Sequence, residues 1–397
     1  MKAVLWAGLI LFALDAPAGA ADTTGVTRNS IKIGLFGPLT SPAGSLAKSV
    51  YAVASIYRDA NDHGGINGRK IELIIEDDGC DPQMSIAAVK KLVEKDKVFL
   101  LHGGWCSHAV LAAKPYILNH PKIPYINMAS ASPAISEPVA PNIFQPPATS
   151  KTNAETIVNF ALTKPGAKRI ATVTQPDEGP SSKIREALAK LKELNITPIA
   201  NIVLEKGVTD SSAQVRELKE KAPDVILVSL YQGEIATFLR DAYKEGLNTT
   251  IVATDSASIE ETDKRVGIPE AMRDVYFFYP YSDTLGSPKL LQIGRIMGKY
   301  YPEQAHDMVG LQGVPGAIVM VEVLRRAGRR LTRERVLQEL EKVRDFDTGV
   351  ASSPITFTPK NHSGLKSANI ITLVGQRLVI VSRYLGQKKP EKEKATQ

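Results

Sequence analysis

The sequence predicts an α/β protein of two doubly wound, Rossmann-like lobes. From Ile31 onward, short β-branched runs alternate with longer amphipathic stretches, the pattern of parallel strands joined by crossover helices. After a proline-rich break the same alternation starts again. A chain of 397 residues also exceeds the length at which a single hydrophobic core stops growing, so two domains of ordinary size are expected.

The elements follow in order. Ile31 to Phe36, Lys70 to Glu76, Lys97 to Leu101 and Pro124 to Asn127 are expected as strands, with helices over Leu46 to Asn61, Met84 to Lys95 and Ala109 to Asn119. Gly64, Gly65 and Gly68 punctuate the first return from helix to strand, where glycine takes the left-handed conformation that ends a helix. The break spans Ser132 to Thr149 and holds Pro133, Pro138, Pro141, Pro146 and Pro147. Beyond it, strands are expected at Arg169 to Thr174, Ile196 to Leu204, Asp224 to Ser229 and Thr250 to Ala253. The helices between them run near Ala154 to Leu162, Ser182 to Leu194, Ala213 to Lys221 and Ile235 to Glu245. An aromatic strand, Val275 to Tyr279, leads into helices near Pro288 to Tyr300, Val309 to Ala327 and Thr332 to Val343. The chain ends on strands at Ile355 to Phe357, Ile370 to Val374 and Arg377 to Tyr384. The tail, residues 385–397, has too few apolar residues to pack and is expected to be disordered.

Residues 1–20 combine Lys2, an apolar run from Ala3 to Leu14 and the small residues Ala18, Gly19 and Ala20, the composition of a cleaved secretory signal peptide. The run is too short for a bilayer core of about 30 Å. A periplasmic, exported protein is expected. The net charge of +7 is spread among acidic residues along helices, and the densest basic run, from Arg325 to Arg335, alternates with Glu322, Glu334 and Glu339. That is a solvated face rather than a nucleic-acid surface. The two cysteines, Cys80 and Cys106, suggest one disulfide in an oxidising compartment. The alternative is a metal site with His102 and His108, but a fourth ligand at zinc-like spacing is missing.

Catalytic and cofactor motifs are missing: no G-x-S-x-G elbow, Walker loop, H-E-x-x-H or strand-linked G-x-G-x-x-G occurs, so neither enzyme activity nor a cofactor or metal is expected. What stands out is small and polar residues just after strand ends, the carboxyl edge where open α/β sheets bind ligands. Gly37 to Gly44 follow the first strand, His102 to Ser107 the third, and Ala129 to Pro133 the fourth; Tyr231 and Asp255 follow two strands of the second half. Any one of these serines is an ordinary cap or turn residue. Their joint location at one edge in both halves points to a cleft, where Trp105 and Tyr231 are expected either to stack on an aromatic ring or, equally, to pack at the rim.

The segments Asp77-Asp78-Gly79-Cys80-Asp81-Pro82, Cys106-Ser107, Gly34-Leu35-Phe36-Gly37-Pro38-Leu39-Thr40 and Asn61-Asp62-His63-Gly64-Gly65-Ile66-Asn67-Gly68 resemble the branched-chain amino-acid-binding (Leu/Ile/Val-binding) proteins of bacterial ABC importers, over about Ile31 to Tyr384. The resemblance implies a type I periplasmic binding protein: two lobes that close like a Venus flytrap, through a three-segment hinge, around a small ligand. It implies a Cys80–Cys106 disulfide. It assigns ligand binding to Ser107, Ala129, Tyr231 and Asp255, with Ser107 and the backbone at Ala129 on the ligand's carboxylate and ammonium and Asp255 accepting from the ammonium; Ser130 and Ala131, from the same strand end as Ala129, are expected at the ligand with them. The chain departs from the family at Ala131, where a threonine is usual, and at Gln175-Pro176-Asp177-Glu178-Gly179, which replace a tyrosine.

These readings give a first lobe of residues 26–145 plus 282–353 and a second of residues 146–281 plus 354–384. The crossings fall at Gln145 to Ala148, Pro280 to Ser282 and Ser353 to Ile355. The expected function is capture of an amino acid or similar small polar molecule by a monomer that docks on an ABC permease and its ATPase. Binding of aromatic carboxylates, amides or other organic acids, a ligand-sensing role for a receptor, and an exported hydrolase are the alternatives.

Overall fold

A computed structural model describes residues 22–40, 46–284, 286–304 and 308–383. The expected signal peptide, the C-terminal tail and residues 41–44 of the first loop lie outside the described residues.

Two sheets form. The first contains β1 (Ser30–Gly37), β2 (Lys70–Asp77), β3 (Leu100–Gly103), β4 (Tyr125–Asn127) and β5 (Ile143–Phe144), all parallel, in the order β2-β1-β3-β4-β5. Its crossover helices are α1 (Ala47–Asp62), α2 (Pro82–Lys90) and α3 (Ser107–Leu118). Ile31, Ile33, Leu35 and Phe36 of β1 are buried, as a strand covered by helices on both faces requires. The stretch expected to continue α2 to Lys95 instead finishes in a π turn, Lys91–Lys95, before Lys97 at φ 55°.

The second sheet contains β6 (Ile170–Thr174), β7 (Ala200–Val203), β8 (Val225–Ser229), β9 (Thr250–Ala253), β10 (Val275–Tyr279), β11 (Asn369–Val374) and β12 (Arg377–Ser382). Their order is β12-β11-β10-β9-β8-β6-β7, parallel from β10 to β7, with β11 and β12 antiparallel. Helices α4 (Ser150–Ala161), α5 (Glu178–Glu193), α6 (Ser212–Lys221), α7 (Gln232–Lys244) and α8 (Ile259–Val266) belong to this half. The expected α/β fold with two parallel-dominated sheets is therefore present.

Next come α9 (Pro288–Tyr300), α10 (Met308–Leu311), α11 (Val314–Ala327) and α12 (Arg333–Glu341). Helices α9, α10 and α11 pack on α1, returning the chain to the first sheet. Arg333, at the start of α12, fixes the return: its guanidinium donates to the carbonyls of Phe99 and Val98 and pairs with Asp22 at 2.8 Å. The single helix expected over Val309 to Ala327 breaks before Val314 because Pro315 has no N–H for the carbonyl of Leu311.

The chain passes between the sheets side by side with itself. Ser282 N–H donates to Val350 and Ser352 N–H to Pro280, while Gln145 N–H donates to His362 and Gly364 N–H to Gln145. Ile355 to Phe357, expected as a strand, makes only a bridge from Ile355 to Phe346; Pro354 and Pro359 on either side cannot donate to a ladder. Residues 356–364 stay beside the first sheet, with Phe357 against Phe144 and His362 Nδ1 2.9 Å from the carbonyl oxygen of Ile143. The last passage thus runs on to residues 365–368.

Candidate functional site

The carboxyl ends of the two sheets face one cleft of about 870 Å3, measured out to open solvent. Its wall on the first sheet starts in the β3–α3 turn. Gly104 has φ +84°, and a Cβ there would come 2.3 Å from Val110 Cγ2; a Cβ on Gly103 would come 2.2 Å from the carbonyl oxygen of Phe36. Only glycine lets this turn lie flat on the strand, which delivers Trp105, Cys106 and Ser107 to the cleft. Cys106 is the N-cap of α3 and makes no side-chain cap bond, because its sulfur is bonded to Cys80 across 5.3 Å between Cα atoms. The first-turn N–H groups of α3 therefore keep no acceptor from their own cap, and the helix dipole favours an anion there. His108 Nε2 lies 2.8 Å from the carbonyl oxygen of Cys80, bracing the same corner.

After β4, Ala129 and Ala131 line the cleft. Ser107 Oγ accepts from Ser132 N–H at 3.3 Å, and the Ala131 carbonyl accepts from Ser150 N–H at 2.7 Å, tying this wall to the start of α4. Ser130 is placed differently. It is fully buried behind the wall, its hydroxyl donating to the Trp105 carbonyl and its own carbonyl accepting from Asn127 and Gln145. Five of the six residues expected at the ligand thus meet in one cavity and the sixth supports it. Of the loop after β1, Leu39 and Thr40 fold back onto Asp77 and do not line the cleft.

On the second sheet, Tyr231 is the N-cap of α7; its N–H donates to Gln175 Oε1 at 2.7 Å, and Gln175 Nε2 donates to Asp177. The 175–179 loop, a departure from the family pattern, thus holds Tyr231 in place. A Cβ on Gly179 would come 2.6 Å from the phenol oxygen. Burial, with the negative charges of Asp177, Glu234 and Glu178, pushes the Tyr231 phenol up to about 12, so it stays a hydroxyl that can donate.

Asp255 follows β9 as expected but is already partnered. Its Oδ1 accepts from Asn153 Nδ2 at 2.6 Å and from Lys183 Nζ at 2.5 Å, and the same ammonium donates to Ser256 Oγ at 3.1 Å. The pair is deeply set, with side-chain exposures of 7% for Lys183 and 14% for Asp255. Lys183 escaped the sequence reading because a lysine in an amphipathic helix is ordinarily solvated. The available signal was its spacing: Pro180, Lys183, Ile184, Ala187 and Leu191 share the buried face of α5.

Pro146, Pro147 and Ala148 from one chain passage, Pro280 and Tyr281 from another, and Leu365 close the remaining sides. Trp105 Nε1 and Gln312 Oε1, both of cleft residues, are buried without a hydrogen-bond partner among the described residues. One is a donor and the other an acceptor that a bound molecule can satisfy. The cysteines are joined to one another, and no group of three or more potential metal ligands occurs among the described residues.

A model of the periplasmic binding protein family matches residues 30–377. The chain is 24% identical over 380 residues to the Leu/Ile/Val-binding protein homolog 7 of Brucella abortus, covering 92% of this chain and 93% of that one. Its fold is similar to that of a branched-chain amino acid ABC transporter protein from Thermus thermophilus with bound valine, at TM-score 0.80 and 20% identity, over 91% of this chain and 98% of that one. It is also similar to a fatty acid ABC transporter substrate-binding protein from Thermomonospora curvata, at TM-score 0.74 and 22% identity, over 94% and 96% of the two chains.

Proposed function

Because the chain belongs to the periplasmic binding protein family, we propose that it is the solute-binding component of an ABC importer. It captures an amino acid or similar small polar molecule between its sheets and leaves it chemically unchanged. The observation that carries this reading is the shared cleft: both sheets turn their carboxyl ends to it, and α3, α5, α7 and α11 bring Ser107, Gly179, Tyr231 and Pro315 to it from their first turns or caps. Three chain passages beside the cleft suit hinge closure. On this reading the first lobe is residues 26–145 with 282 to about 364, and the second is residues 146–281 with about 365–383. Export to the periplasm after removal of residues 1–20, and delivery by the monomer to a permease and its ATPase, belong to the same proposal. No helix among the described residues is long and apolar enough to cross a membrane.

The relatives named above include one with valine and one named for fatty acids, so shared fold leaves the ligand to the cleft's own chemistry. A thermal-shift screen of amino acids and small carboxylates against the mature protein tests the function, because a molecule that binds only the folded state raises its melting temperature. A reproducible upward shift with no change in the recovered molecule is expected. Recovery of a converted molecule would overturn the reading in favour of an enzyme.

A further inference from the structure

We propose, resting on the solute-binding reading but narrowing its ligand away from amino acids, that the ligand is a carboxylate with an apolar or aromatic body and no ammonium group, because Lys183 already supplies the cation that Asp255 needs. A zwitterionic ligand requires a free acidic group for its ammonium. Here Lys183 Nζ lies 2.5 Å from Asp255 Oδ1, and Asn153 Nδ2 reaches the same oxygen. An ammonium brought to the other oxygen of that carboxylate would stand beside the Lys183 ammonium. Their repulsion offsets most of the attraction and leaves the cost of desolvating the incoming charge.

A carboxylate meets the opposite situation. Lysine has three N–H donors, and Asp255 and Ser256 take two of them, leaving one for a ligand at the cleft. Across the cleft, α3 presents first-turn N–H groups without a side-chain cap, together with the Ser107 hydroxyl. Among the described residues that line this cavity, Lys183 and Asp255 are the side chains of fixed charge, and they neutralise one another, so the helix starts tip the balance towards an anion. The rest of the lining, including Trp105, Pro146, Tyr231, Tyr281, Pro315 and Leu365, suits an apolar or aromatic body.

Titration calorimetry on the mature protein with two matched pairs tests this: leucine against isocaproate, and phenylalanine against hydrocinnamate, each pair differing by the ammonium alone. The acid is expected to bind about tenfold or more tightly than its amino acid in at least one pair. Lys183→Met is expected to weaken that acid about tenfold or more, with folding checked by circular dichroism. Should Lys183→Met not fold, the double variant Lys183→Met/Asp255→Leu removes the pair without stranding a charge, and the same loss is expected. Tighter binding of the amino acid in both pairs would overturn this inference and leave the solute-binding reading standing. An acid preference indifferent to removal of Lys183 would overturn it too, as would no binding by any of the four. Only a blank thermal-shift screen beside that last result would also bring down the solute-binding reading.

Discussion

On the first sheet the cleft wall is made of a turn and a helix start, Trp105 through His108 with Ala129 and Ala131, whereas on the second it is built around the long polar side chains of Lys183, Tyr231 and Asp255. The first wall offers backbone N–H groups, the Ser107 hydroxyl and the Trp105 indole N–H, and is braced covalently through Cys80–Cys106. The second offers a buried ion pair and a tyrosine whose backbone N–H donates to Gln175. A backbone wall can hold a carboxylate whatever body it carries; a side-chain wall can be rewritten one residue at a time. Ligand choice therefore resides chiefly in the second wall, and integrity of the anion site in the first.

The buried groups near the first wall should give the largest effect. His102, at the end of β3, is fully buried against the Tyr57 hydroxyl, and burial lowers its imidazole to about 3. Its ordinary value is about 6.5, so between those values the unfolded chain binds the extra proton and stability falls as pH drops from about 6.5 towards 3. Linkage sets the upper bound of that loss at about 5 kcal/mol. Asp78 has the opposite sign: burial raises it to about 6, so its contribution grows as pH falls from about 6 to the ordinary carboxylate range, by up to about 3 kcal/mol. Urea midpoints measured from pH 7 to pH 4 should fall less steeply for His102→Gln than for the natural protein, and more steeply for Asp78→Asn. Parallel curves for all three would remove buried titration from the comparison.

Breaking the pair in the second wall comes next. Lys183→Met or Asp255→Leu alone leaves an uncompensated buried charge and should cost about 3–5 kcal/mol, whereas the double variant Lys183→Met/Asp255→Leu should lose clearly less than the sum. Denaturant unfolding of the three variants checks this, and strict additivity would mean that the pair is not coupled. For the first wall, the disulfide closes a separation of 26 positions, worth roughly 3–4 kcal/mol in the chain-entropy model. Reduction should lower the denaturation midpoint and weaken ligand binding through the loosened start of α3. The smallest change is Ser107→Ala, which removes one hydroxyl and should weaken a carboxylate ligand by about 1 kcal/mol, read by calorimetry.

The sequence made the parallel strands legible wherever an apolar β-branched run was bounded by glycine, proline or polar turns: Val225–Ser229 lies within the expected Asp224 to Ser229. It hid β5, because two residues between Pro141 and Pro146 are too few to show a period. It also joined α10 to α11, since apolar periodicity runs on through Pro315 although the hydrogen-bond ladder cannot. At the site, position after a strand end located Ser107, Tyr231 and Asp255, but it could not show that Ser130 turns inward to bond the Trp105 carbonyl. Nor could it show that a lysine 72 positions before Asp255 reaches its carboxylate, a contact that exists only once α5 is docked on its sheet.

Closure of the two walls over one ligand is tested most directly by small-angle scattering of the mature protein, with and without saturating amounts of the molecule giving the largest thermal shift. A smaller radius of gyration for the bound form, with the ligand recovered unchanged, is expected; superimposable profiles at demonstrated saturation would contradict closure.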